Sequence, residues 1–388
     1  MRDPDLAREA TRQLTICNAC RYCEGYCAVF PALELRQTFT GGDIAYLASL
    51  CHDCRACYYA CMYAPPHPFA VNLPRTLAAV RTDTYRRHTW PAVLGQLHSR
   101  STAAAVVAAG VALLVTLWAA WLAGERLFQV HTGPGAFYRV IPHWAMLVVG
   151  LGLGGYWMAV WAIAGVRFWR ESTTGAMRVQ ARALGLAAWD VLRLRWLGGG
   201  DAGCPYPTER PSQSRRISHG LVFYGFLAAF ASTTSAAIYQ ELLGRLPPYP
   251  VVSLPVLLGS AGGVAMIAGC LGLWQQKRHS DQAPAAAETL GSDYVFLIAL
   301  GMTNVTGMLT LFLRQTPLMG VTLAVHLGTV AGLYVTAAHG KFIHAVYRVL
   351  ALVRSRAEQR TGHLPLEVAP AARHHAGAID PDGSVPPQ

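Results

Sequence analysis

Charge is scarce in this chain of 388 residues: Asp, Glu, Lys and Arg together make up 14% of it, and acidic residues number 21 against 32 basic ones. A soluble domain ordinarily carries about 25%. The long apolar segments are nearly free of carboxylates, and their mid-segment polar groups are neutral ones such as Thr303, Asn304 and Thr306. An ion-coupled transporter would need acidic side chains there, so that class is disfavoured. Other absences narrow the chemistry further. No G-x-G-x-x-G opens a helix after a strand, and neither a nucleophile elbow nor an acid–base pair stands out. Flavin binding and dehydrogenation of an organic substrate are therefore expected on a separate chain. Residues 1–15 are charged and polar, so a secreted, disulfide-bonded protein is not expected.

Apolar residues are abundant, 53% of the chain, and concentrate after residue 100. Six runs, approximately 102–123, 142–166, 219–240, 251–274, 294–313 and 318–346, reach the ~20 residues a helix needs to cross a bilayer. A soluble bundle can bury one such helix, but not six. The expected fold is all-α: a polar domain over 1–100, a six-helix membrane domain over 101–350 and a tail over 351–388. The stretch 40–50 reads as a helix with Asp43 as its cap. Residues 176–197 read as a basic amphipathic helix, either on the membrane surface or packed on the N-terminal domain. From about 361 the tail is rich in Pro, Gly, Ala and His, and disorder is expected there.

Basic residues set the orientation. The loop 167–218 holds nine arginines, 275–293 adds Lys277 and Arg278, and the tail adds Lys341, Arg348, Arg354, Arg356 and Arg360. The alternate loops hold only Arg126, Arg139, Arg245 and Arg314. Both termini are thereby expected in the cytoplasm, beneath a bacterial inner membrane. The net charge of +11 is then a topology signal; lipid is the implied partner, and nucleic acid is not.

Eight of the ten cysteines fall into two matching runs, Cys17-x2-Cys20-x2-Cys23-x3-Cys27 and Cys51-x2-Cys54-x2-Cys57-x3-Cys61, the second 34 positions after the first. Zinc ligands come as pairs separated by roughly a dozen residues or more, and these runs have no such gap. Their spacing is the one that holds [4Fe–4S] clusters in bacterial ferredoxins, where the fourth cysteine of each run ligates the other run's cluster. It predicts one cluster on Cys17, Cys20, Cys23 and Cys61, and a second on Cys51, Cys54, Cys57 and Cys27. A ferredoxin-like dicluster domain facing the cytosol, where thiols stay reduced, would move single electrons. Cys204 and Cys270 stand outside the pattern and read as structural or incidental thiols.

Histidines in the apolar half extend this path. His326 and His344 are 18 apart, five turns of a helix and about 27 Å along its axis. They are therefore expected to share one face of the sixth span. His219 opens the third span at the level of His344, so His219 and His344 are the expected axial ligands of a haem b beneath the cysteine domain. His339 is the alternative ligand, or a propionate or quinone contact. His326 with His143, which opens the second span, is the candidate pair for a second haem. Arg215, Arg216, Lys341 and Arg348 are candidate propionate contacts.

Together the double cysteine run, Arg216-Ile217-Ser218-His219-Gly220, Phe223-Tyr224-Gly225-Phe226 and Gly340-Lys341-Phe342-Ile343-His344-Ala345-Val346-Tyr347-Arg348 resemble the citrate/tricarballylate utilisation protein B family over roughly residues 10–355. The membrane half is similar to the cytochrome b subunits of nitrate reductase and membrane heterodisulfide reductase, which also use histidines 18 apart. Those proteins place two histidines on an earlier helix, where this chain keeps only His219. The resemblance implies an electron-transfer partner of a separate FAD-dependent dehydrogenase, of the tricarballylate dehydrogenase kind, that delivers electrons to quinone. A different flavoprotein or a heterodisulfide- or nitrate-reductase-like complex is an alternative, as is a redox-sensing membrane protein.

Overall fold

The N-terminal domain follows from its helix signals. In the computed structural model, which describes residues 3–361 apart from 99, 174–176, 178 and 200–203, Asp3 caps α1 (Pro4–Cys20) by accepting from the N–H groups of Asp5 and Leu6. The helix stops where Arg21 turns left-handed, so Cys17 and Cys20 lie in its last turn. After α2 (Val29–Glu34), a capping box starts α3 (Gly41–Leu50): the cap itself is Thr40, and the expected Asp43 returns the bond from three residues on. The short α4 (Ala56–Tyr59) and α5 (Leu73–His88, capped by Asn72) complete the domain. Leu14, Leu33, Tyr46, Leu47, Leu50 and Leu77 are fully buried at its centre, each worth about 1.5–3 kcal/mol.

Beyond it run α6 (Ser101–Ala123), α7 (Ala136–Val140), α8 (His143–Ser172) and α9 (Ala181–Leu192). A minimal antiparallel pair follows, β1 (Cys204–Pro205) with β2 (Pro211–Ser212), then α10 (Ser214–Glu241), α11 (Leu254–Arg278), α12 (Ala287–Phe312), α13 (Met319–Ala337) and α14 (His344–Thr361). The fold is all-α. Six of these helices, α6, α8 and α10 to α13, are long and apolar enough to cross a membrane, which makes this a multi-pass membrane protein. The bundle exposes Leu114, Trp121, Val148, Leu151 and Phe230, an exterior suited to lipid. Glycine lets its helices touch: a Cβ on Gly262 of α11 would lie 2.7 Å from the Gly225 carbonyl of α10.

Two expected boundaries need correction. The run 318–346 is not one helix. It ends at Ala337, passes through an extended Gly340, makes a 3-10 turn over Lys341–Ile343 and restarts as α14. The break is held from both sides. Lys341 pairs with Asp293 at 2.8 Å, and the Phe342 ring sits among Trp157, Trp161, Phe226 and Phe296 at centroid distances of 4.9–5.6 Å. His326 and His344 therefore belong to different helices, and the shared-face argument for them fails. Residues 351–361 are likewise not tail but helix, with Leu352, Val353 and Arg354 buried; the remainder of the expected disordered segment lies outside the described residues. The basic amphipathic segment is helical over α9 and packs on α14, where Arg356 bonds Asp190. Leu184, Trp189 and Leu192 stay exposed on it.

The N-terminal domain docks on one end of the bundle through buried ions. Arg354 of α14 pairs with Asp43 at 3.0 Å and Glu358 at 2.7 Å, donates to the Ser172 carbonyl and lies over the Tyr46 ring. Arg36 bonds the same two carboxylates, and Glu171 of α8 receives Arg87 at 2.8 Å. Burial pushes the Asp43 carboxyl up, but hydrogen bonds from Thr40, Arg36 and Arg354 outweigh it and leave it below its ordinary value. A depressed carboxylate stabilises the fold above its unfolded pKa, and that contribution is lost as pH falls through the folded one. Stability should thus fall below about pH 4, and Asp43→Asn should flatten that limb of the profile. Arg354→Met should cost about 3 kcal/mol, because Arg36 still serves both carboxylates. Thermal unfolding in detergent across pH checks both.

Candidate functional site

The helix ends shape the thiol sites. Cys17 and Cys20 from the last turn of α1, Cys23 from the following turn, Cys57 and Cys61 line one cavity, with Phe30, Tyr63 and Leu73 among its other walls. The last cysteine of the second run has thus crossed to the first. The reverse exchange also occurs. Cys27 is buried, and Cys54 and Cys51 are the thiols whose charge bears on it. Cys57 in turn feels Cys54, Cys27 and Cys51 before Cys23. Backbone N–H groups of Val29 and Phe30, at the start of α2, face the Cys27 sulfur, and that of Ala56, at the start of α4, faces Cys54. Such helix starts favour thiolate. That help is outweighed: burial and neighbouring thiols hold Cys27 well above the ordinary thiol value, the Cys204 contact and burial do the same to Cys54, and Cys17 and Cys23 are pushed up to about 12. Among the described residues no three His, Cys, Asp or Glu side chains are arranged about a single ion. In an iron–sulfur cluster each thiolate takes its own iron, and thiols gathered from both runs in this way suit such a group.

Beneath the second set, His219, in the second turn of α10, faces His344, the first residue of α14, with ring centroids 6.4 Å apart and planes at 78°. His344 donates from Nδ1 to the Lys341 carbonyl at 2.5 Å, which leaves Nε2 as its bare nitrogen. Withdrawal from water, with Arg348 and His219 close by, pushes this imidazole down to about 3, so it is neutral. His219 has a buried Nδ1 with no partner. Metal–imidazole bonds of about 2 Å on both sides of one iron, plus the ring radii, require a centroid separation of about 6 Å. The observed 6.4 Å matches that separation.

The other three candidate histidines lie elsewhere. His339, fully buried at the break after α13, accepts from the Tyr156 hydroxyl at 2.6 Å. His326 contacts Thr306 at 3.1 Å and packs on Gly307 of α12. His143, at the far end of the bundle, meets Gln240 at 2.5 Å and Glu241 at 3.6 Å. No contact joins His143 to His326 among the described residues.

One turn after His344, Arg348 donates to the Cys51 carbonyl at 2.6 Å. One turn before His219, Arg215 donates to the Asp53 carbonyl. The candidate propionate contacts Arg215 and Arg348 thus hold the second cysteine run, while Lys341 is engaged with Asp293. Some of these neighbours carried no signal in the sequence. Arg81 reaches the Cys51 carbonyl at 3.1 Å from α5. Asp293 joins Lys341 to Lys277, the latter at 2.6 Å. Cys204, which read as incidental, lies over the second set with its Sγ 2.9 Å from the Cys54 carbonyl. A lone cysteine has no spacing to read, and long-range ion pairs leave no local pattern.

Comparison with known proteins decides the family. The family model described as "Citrate utilization protein B" matches residues 96–363, and "Citrate utilization protein B Fer4-like domain" matches 10–87. This chain belongs to the citrate utilization protein B family. Citrate utilization protein B of Escherichia coli is 39% identical over 367 residues, covering 91% of this chain and 93% of its own length. No solved structure matches. Membership with a Fer4-like domain gives this family member an iron–sulfur electron-transfer role. Both family models meet where α5 gives way to the first span, so the family's two parts are the two docked here.

The crossing of Cys61 and Cys27 is testable. Cys61→Ser should remove the same iron–sulfur EPR signal that Cys20→Ser removes, and Cys27→Ser the one that Cys54→Ser removes. A match of Cys61→Ser with Cys54→Ser instead would show that each run keeps its own fourth ligand.

Proposed function

We propose that this protein carries electrons from a separate FAD-dependent dehydrogenase, of the tricarballylate dehydrogenase kind, into the membrane, where quinone accepts them. Two [4Fe–4S] clusters on the eight cysteines and a haem b on His219 and His344 would supply the one-electron chemistry. The residues of the chain do the rest. Arg348 and Arg81 fix the Cys51 loop above the histidine pair, the Lys341 carbonyl sets the tautomer of His344, and the Phe342 aromatic cluster keeps water from the bundle side. Positive loops support an orientation with the cysteine domain on the cytosolic face of an inner membrane, where a soluble flavoprotein can reach it.

The observation that carries this reading is the composition of one helix turn. α14 presents His344 to His219 and, four residues on, Arg348 to the Cys51 carbonyl. The thiol domain and the membrane histidines thereby share a rigid element. The purified protein, reduced with dithionite, should show b-type haem bands; His219→Ala and His344→Ala should each abolish them. His143→Ala and His326→Ala should retain the wild-type haem content, since only one histidine pair is brought face to face among the described residues. Mixing with reduced flavoprotein should bleach the cluster absorbance and reduce added quinone. Clusters that stay oxidised in that mixture would instead favour a sensor.

A further inference from the structure

The two thiol sets sit in unlike electrostatic surroundings. The cavity on the first run has thiols and apolar or aromatic side chains as its lining, with no charged group. The second run is ringed by guanidiniums. Arg348 and Arg81 both donate to the Cys51 carbonyl, at 2.6 and 3.1 Å, Arg81 also to Ala48 at 3.0 Å, and Arg215 donates to Asp53. Arg55 is buried next to them, over the Tyr206 ring that Arg215 also approaches. Against these four cations stand two carboxylates, Asp53, 4.0 Å from Arg55, and Asp281, whose carbonyl accepts from Arg55 and whose carboxylate accepts from the Tyr59 hydroxyl. Asp293, on the bundle side, is already shared by Lys277 and Lys341.

Carbonyl oxygens accept from guanidiniums but do not neutralise them, and the Nε of Arg348 is buried without a partner. An excess of positive charge withdrawn from water is unfavourable unless an anion shares the site. Four thiolates around a cluster supply that anion. One more electron there is stabilised by every nearby cation, since cluster potentials follow net charge and hydrogen bonding.

We propose that Arg81, Arg215 and Arg348 make the cluster on the second run the more easily reduced of the two, so that fixed charge sets the direction of electron flow toward His219 and His344. This rests on the iron–sulfur reading above. Redox titration of the full-length protein in detergent, followed by EPR, tests it, with Cys20→Ser and Cys54→Ser assigning the two signals. In the wild type the second-run signal should have the higher midpoint. Arg348→Met should shift that signal's oxidised-to-reduced ratio at a fixed potential about tenfold toward oxidised, about 59 mV for a one-electron couple, and leave the first-run signal in place. The charge-conserving Arg348→Lys should stay near wild type. Coincident wild-type midpoints, or a higher one on the first run, overturn the inference whatever the variants do. So does an equal displacement of both signals in Arg348→Met. Absence of any iron–sulfur signal from the wild type overturns the iron–sulfur reading itself, and the inference with it.

Discussion

The bond from Arg348 to the Cys51 carbonyl is the contact on which the rest of the site depends. A chain that moves electrons between centres must hold those centres at fixed separation, and the protein's contribution is that positioning. Arg348 and His344 are one turn apart on α14, so the helix that presents an imidazole to His219 also clamps the second cysteine run. The clamp is duplicated by Arg81 from α5 and by Arg215 from α10. Three helices from different parts of the chain thus converge on the carbonyls of Cys51 and Asp53, two positions apart in one loop. A loop has little intrinsic rigidity; here rigidity is imposed by long-range donors onto its carbonyls.

The cost of the arrangement is charge. A membrane-proximal interface rich in arginine needs counter-ions, and the carboxylates are placed where the need is greatest. Asp43 and Glu358 hold Arg36 and Arg354 at the docking face, Glu171 holds Arg87, and Asp293 holds two lysines. The scarcity of acids in the sequence therefore does not mean they are incidental, since these four lie at the seam between the domain and the bundle. Around the second cysteine run alone the balance stays positive. That positive balance lies where the thiols are.

Much of this was legible in the sequence, and the limits were physical. The cysteine spacing identified the thiol groups, because ligand geometry is written locally in a C-x2-C-x2-C run. Apolar length identified the six spans, because a bilayer demands about 20 residues whatever the packing. Capping chemistry located α3 to within a residue, although Thr40 and not Asp43 proved to be the cap. What stayed hidden depends on pairs far apart in the chain. Arg81 and Cys51 are 30 residues apart, and Cys204 and Cys54 are 150 apart. No periodicity records such pairs, and a single cysteine or arginine in a basic loop looks like any other.

The misread sixth span shows how long-range contacts override a local rule. Spacing of 18 made His326 and His344 partners on one face, and His344 a ligand by that logic. An unbroken helix would have carried that face through the membrane. Instead Lys341 is drawn to Asp293 and Phe342 into an aromatic nest, and the helix axis is interrupted between them and Ala337. The interruption makes His344 the first residue of a new helix, with its Nδ1 fixed by the carbonyl of the turn before it. It also frees α14 to follow the N-terminal domain instead of the bundle. Without the break, an imidazole facing His219 and a guanidinium reaching Cys51 could not belong to the same turn.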